Sequence, residues 1–250
     1  MTHAHILSRT ILAIASCAVA FQATAHEVWI EDTPEGHLYV RFAEYGDDFE
    51  KSPGALDALT LPFAWKDATS PVEKENAAPG TEAPARVREA IAAGRVATIP
   101  VEKKADGYFL EGASAKNPTQ VETGFTVMGK AGDPEKPARK PFFYARWHAA
   151  ESGAAKPALN FDLVPTGENG KVCVYFRGKA VSGVKVTLYP PAEPEVELVS
   201  DENGFVTFKT PKPGLYMMAA AHQREPIAGF FGGKPYDVVS HNCSLSWRQP

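Results

Sequence analysis

Between residues 158 and 247 the chain breaks into short runs rich in β-branched and aromatic residues, each closed by glycine, proline, asparagine or aspartate. The runs are residues 158–164, 171–177, 184–189, 196–200, 205–209, 215–222 and 242–247. Punctuation this frequent leaves no room for a long helix, and alternation within a run buries one face of a strand. Arg177-Gly178-Lys179 reads as a turn between paired strands. Asp201-Glu202-Asn203-Gly204 supplies residues that accept positive φ. Seven such runs predict an immunoglobulin-like Greek-key β-sandwich over residues 157–250.

The preceding part is also strand-like but less regular. Residues 26–30 (HEVWI) and 37–42 (HLYVRF) alternate on either side of Pro34 and Gly36. Residues 42–57 are acidic and turn-rich, which suits a loop with one short helix. Residues 73–84 are too polar to bury a core and read as a surface excursion; residues 85–93 fit a helix that starts after Pro84 and stops at Gly94. Residues 96–101 and 108–110 flank a hairpin signal at 103–107, and 123–129 and 142–147 are further strands. Small residues at 149–157 mark a linker. The expected class is therefore mainly all-β: an N-terminal β-rich domain at 26–150, then the sandwich. A content of 20 Gly and 21 Pro agrees with many short strands.

Residues 1–25 read as a secretory signal. Residues 11–21 are apolar, Ala23-Thr24-Ala25 is a small-x-small cleavage pattern, and Arg9 is the single charged residue before Glu27. The apolar run is too short to span a bilayer, so the processed chain is expected in the periplasm with His26 first and with no membrane span. A lipoprotein-type cut before Cys17 is the rival reading, although the apolar run continues past it. The formal net charge of −4 becomes one unit more negative when Arg9 is lost, which disfavours nucleic acid as a partner. Cys173 and Cys243 remain after processing. An oxidising compartment permits a disulfide. Yet alternation puts Val172, Val174 and Phe176 inward and Cys173 outward, whereas Cys243, Leu245 and Trp247 share the core face with His241. Two buried free thiols are the other outcome.

Several stretches together resemble the DUF4198 family of secreted bacterial proteins. They are Ala25-His26-Glu27-Val28-Trp29-Ile30-Glu31, Ser52-Pro53-Gly54-Ala55-Leu56-Asp57, Phe143-Tyr144-Ala145-Arg146, Val174-Tyr175-Phe176-Arg177-Gly178-Lys179, Asp201-Glu202-Asn203-Gly204, the His222 region and residues 232–245. Cys243 departs from the small polar or apolar residue usual there. The resemblance implies a metal-handling role, as these proteins are described as periplasmic components of nickel or cobalt uptake. It also implies a membrane transporter or TonB-type receptor as partner.

The histidines after residue 25 are His26, His37, His148, His222 and His241. Imidazole nitrogen is the side-chain donor that nickel, cobalt and copper ions favour. An N-terminal histidine adds its α-amine, so one residue can chelate. This makes His26 the leading metal ligand, with His222 and His241, read as strand-end residues, as its expected partners. His148 and Glu225 are further candidate ligands; Glu27 and Glu31 are weaker ones, and His37 is read as structural. The acidic residues Glu44, Asp47, Asp48 and Glu50 lack the spacing of a calcium loop and are read as solvated. The chain carries no nucleophile elbow, H-E-x-x-H, phosphate loop or C-x-x-C. Binding is thus expected rather than catalysis. A copper-monooxygenase-type activity would need an open metal position and an extended substrate face besides. The alternative function is an exported structural or interaction β protein without metal.

Overall fold

A computed structural model describes residues 26–66 and 97–250, without the side chains of 221 and 222. The expected signal at 1–25, the surface excursion and the helix at 85–93 lie outside the described residues. The described chain is nearly all β, with one short 3-10 helix at Ala55–Ala58. Among the described residues no helix is long and apolar enough to cross a membrane.

Three sheets stack as layers. The first has the order β1 (Glu27–Asp32), β2 (His37–Ala43), β6 (Gly107–Ser114), β5 (Val101–Lys104). The second and largest runs β13 (Val196–Val199), β12 (Lys185–Tyr189), β15 (Gly214–Glu225), β18 (Val238–Gln249), β8 (Arg139–His148), β7 (Thr119–Gly124), β3 (Phe63–Lys66), β4 (Thr98–Ile99). The third is β11 (Lys179–Ala180), β10 (Lys171–Phe176) and β14 (Phe205–Thr207), with β9 (Phe161–Pro165) also paired to β10. A separate hairpin joins β16 (Gly229–Phe231) to β17 (Lys234–Tyr236).

The middle strands of the eight-stranded sheet are buried on both faces. On one side Val28, Ile30, Leu38, Val40 and Phe42 of the first sheet pack on Phe143, Ala145 and Trp147. On the other side Phe161, Leu163, Val172 and Val174 of the third sheet pack on Tyr144, Met218, Cys243 and Leu245. Strands covered on both faces read as continuous apolar runs, which is why FFYARW lacks alternation between polar and apolar residues. β8 and β18 pair in parallel, Asn242 opposite Phe143, so one sheet carries strands from both sides of residues 149–157.

The turns follow from the local sequence. β10 passes to β11 through Arg177 at φ 52° and Gly178 at φ 75°, a two-residue turn of the kind that matches strand twist. The Asp201 carboxylate accepts hydrogen bonds from the Asn203 and Phe205 amides, and Gly204 sits at φ 83°, where an added Cβ would crowd Ala180 and the Val181 amide. Cys173 and Cys243 are both free and buried.

Several sequence expectations shift. The strand expected at 123–129 lies earlier, at β7, because the chain after Gly124 carries single bridges rather than a ladder. The β3 strand and the hairpin at 229–236 were not foreseen. β15 runs on to Glu225 and β18 begins at Val238, so His222 and His241 lie within strands rather than at their ends.

Candidate functional site

β1 pairs with β2 so that Glu27 faces Ala43. The next residue outward on each strand is then His26 and Glu44. The chain continues as a loop whose Glu50 amide donates to the Phe42 carbonyl at 2.9 Å, returning Glu50 to the same place. His26 Nε2 consequently lies 2.5 Å from Glu50 Oε1, and Nδ1 lies 4.0 Å from Glu44 Oε1. The His26 ring leans on Phe42 with centroids 5.1 Å apart. Beside this cluster opens a cavity of about 790 Å³, walled by Phe42, Phe125 and Phe143 and by Arg139 and Arg224.

A second polar cluster lies on the opposite face of the large sheet. Its geometry depends on a bulge. Ala220 pairs with Cys243 and Gln223 with His241, so Ala221 and His222 together stand against Asn242. The extra residue inverts the alternation of β15. Glu225 therefore turns to the His241 face, and Arg224 to the face of the cavity. Glu225 Oε2 is 2.9 Å from His241 Nε2, and Arg177 Nη2 donates to the same oxygen at 2.7 Å. Tyr144 Oη is 2.9 Å from His241 Nδ1, and Asn160 Nδ2 donates to that hydroxyl at 3.5 Å. Tyr144 and Phe142 stack along the imidazole and Phe176 meets it edge-on. Both ring nitrogens have protein partners. The cluster can pass a proton or hold a fixed dipole, but each ring nitrogen would have to give up a bond to take a metal.

The structure thus brings His241 and Glu225 together and sets His26 across the sheet from them. His222 is placed only by its backbone, in the bulge of β15. His148 ends β8 and lines a different cavity of about 340 Å³ with Ser152, Glu168 and Lys171. Burial, then the Arg146 charge, push its pKa down to about 4, against a weaker pull from the Ser152 backbone. It is neutral above that pH. Sign follows from the depressed value: between about pH 6.5 and 4 the unfolded chain binds the extra proton, so acid erodes stability there. Lowering the pH from 7 to 5 should therefore move the thermal midpoint less unfavourably in His148→Gln than in the native chain. The same shift in both would show the imidazole to be protonated in place.

Of the weaker candidates, Glu31 accepts a hydrogen bond from Trp29 Nε1 at 3.1 Å, and Glu27 is buried, its pKa raised to about 8 by loss of solvation. His37 meets Phe109 edge-on at 5.8 Å, a packing role. Among the described residues no three His, Cys, Asp or Glu side chains converge as a ready metal group. Residues without a site role in the sequence reading are Glu44, Glu50, Tyr144, Arg177, Arg139 and Arg224. Tyr144 and Arg177 stood in the stretches that carry the family resemblance. Nothing local marks Arg139 or Arg224, which meet only through strand pairing.

A sequence profile described as a domain of unknown function (DUF4198) matches residues 23–224. His26, Glu44, Glu50, Arg139 and Arg224 fall inside the matched stretch; Glu225 and His241 follow it. No curated protein matches the chain.

Proposed function

We propose that this chain, which belongs to the DUF4198 family, binds one divalent transition-metal ion at the N-terminus of an exported, processed form. The observation that carries this reading is the orientation of the His26 ring. Its Nε2 is held by Glu50 at 2.5 Å, which fixes the ring and leaves Nδ1 toward Glu44. A carboxylate on the outer nitrogen is the usual partner of a metal-bound imidazole; it sets the ring and raises its basicity. Cleavage after Ala25 would free the His26 amine, and that amine with Nδ1 closes a chelate on one ion.

The donor set fits. Metal–nitrogen and metal–carboxylate bonds each run about 2.0–2.2 Å for a zinc-sized ion, and the 4.0 Å between Nδ1 and Glu44 Oε1 is the span of two such bonds. Amine, imidazole and carboxylate donors would suit copper(II) or nickel(II) best, with cobalt a weaker candidate. His241 and Glu225 hold each other on the opposite face, so the ligand set proposed is His26 with Glu44, oriented by Glu50. The role that follows is periplasmic capture of the ion for uptake or homeostasis. Delivery would be to a membrane transporter or a TonB-type receptor.

Isothermal titration with nickel(II) and copper(II) tests it on protein beginning at His26. Tight one-to-one binding is expected. Glu50→Gln should weaken it roughly tenfold to 100-fold, and a retained Ala25, which blocks the amine, should weaken it more. Equal, micromolar-or-weaker binding by all forms would end the metal reading. The chain would then be an exported interaction protein.

A further inference from the structure

The cavity beside His26 is larger and more apolar than an ion requires. Its volume of about 790 Å³ lies in the range of small-molecule pockets, and three phenylalanines form its walls. Its lining also carries more cationic than acidic side chains. Arg139 and Arg224 both line it, and neither forms an ion pair among the described residues. Among the described residues the single polar contact of the Arg139 side chain is a weak one from Nη2 to Met128 Sδ at 3.5 Å. The two guanidinium groups also oppose each other. Burial first, and then the Arg224 charge, lower the Arg139 pKa. Two like charges that face one cavity without a counter-charge favour an anion between them.

The other charged residues of the lining do not supply one. Glu50 is engaged by His26, and among the described residues the exposed Glu135 forms no ion pair with either arginine. The backbone explains the convergence. Arg139 and Phe143 lie on the same face of β8, Arg224 pairs with Ser240 on β15, and β18 joins the two strands. Ser240, on that face, is fully buried, and its hydroxyl has no hydrogen-bond partner.

We infer that this cavity binds a small organic carboxylate with an apolar body, its carboxylate clamped by Arg139 and Arg224 and its body laid against Phe42, Phe125 and Phe143. Guanidinium groups suit a carboxylate because their parallel N–H donors match its two oxygens. The aromatic walls reward a flat or branched hydrocarbon. His26 and Glu50 also line this cavity, but the clamp itself needs no metal, so metal-free protein tests it separately from the reading of His26.

Metal-free protein, stripped with a chelator and titrated with 2-naphthoate, tests it. Binding is expected. The neutral analogue 2-naphthalenemethanol should bind roughly tenfold to 100-fold more weakly, the range of a charge-assisted pair. Arg224→Gln, an exposed position, should remove that preference without moving the thermal midpoint, and Arg139→Gln should do the same. Equal affinity for acid and alcohol would overturn the clamp. Inorganic phosphate binding as tightly as naphthoate would overturn the organic ligand and leave a plain anion site. Unchanged binding by Arg224→Gln would place the probe elsewhere and overturn the assignment. Absence of naphthoate binding up to millimolar concentration would do the same.

Discussion

Asp162→Ala should cost the folded chain about 3–5 kcal/mol, the range for breaking a buried ion pair. The Asp162 and Arg146 side chains are almost wholly enclosed, at 0% and 1% exposure. Arg146 donates from Nε to Oδ1 at 2.9 Å and from Nη2 to Oδ2 at 2.7 Å, a two-point contact. Oδ2 also accepts the Ala158 and Leu159 amides at 2.8 and 3.2 Å, and Arg146 reaches the Lys156 carbonyl at 3.0 Å. Removing the carboxylate leaves a guanidinium in the interior without its counter-charge and leaves two amides without acceptors. Arg146→Met combined with Asp162→Leu should recover part of the loss, since no charge is then stranded. The two amides still go unpaired, so recovery should be incomplete. Urea unfolding of the single and double variants measures both. A loss below about 1 kcal/mol for Asp162→Ala would mean that water reaches the site.

The pair also explains the behaviour of residues 149–157. Their small side chains predict a loose linker, yet Lys156 and Ala158 are tied to β8 and β9 through Arg146 and Asp162. The connection is fixed by its backbone groups, which composition does not report.

Ionisation of Glu27 should lower stability as pH rises from about 4.5 to about 8, and Glu27→Gln should remove that contribution. Glu27 is 6% exposed, and burial raises its pKa from 4.5 to about 8. Between those values the folded chain keeps a proton that the unfolded chain releases, so each rise in pH favours unfolding. Below 4.5 both states are protonated and the effect vanishes. Full expression of the shift corresponds to at most about 5 kcal/mol, at about 1.4 kcal/mol per unit. Glutamine keeps the shape without the charge. Urea midpoints at pH 5 and pH 8.5 decide the matter: the native chain should lose midpoint between them, and the variant should lose clearly less. Parallel loss in both would show that Glu27 ionises without penalty. His148 acts in the opposite direction between about pH 6.5 and 4, so the two effects offset each other from about pH 6.5 down to 4.5, where the native optimum should lie.

Much of the strand content was legible because alternation and turn chemistry are local. The turns at Arg177-Gly178 and at 201–204 formed where glycine and aspartate placed them. The opposite facing of Cys173 and Cys243 was readable in the same way, and both are free thiols. The polar clusters were less legible. His241 was visible as a histidine on a core face, but its partner Glu225 reaches that face only because one extra residue at 221–222 inverts the alternation of β15. Glu44 and Glu50 looked like solvated acids, because nothing in their spacing says that β2 returns the chain to His26.

By itself the sequence determined the class of the fold, most of its turns, the face of each residue along an unbroken strand, and the family. Each of these depends on neighbours a few positions apart. The tertiary structure alone decided that β8 lies parallel to β18, that one sheet is covered on both sides, and that His26 and His241 stand across it from each other. Those outcomes depend on which distant strands pair and in what register. Burial of whole faces selects that pairing, and no short stretch of sequence encodes it.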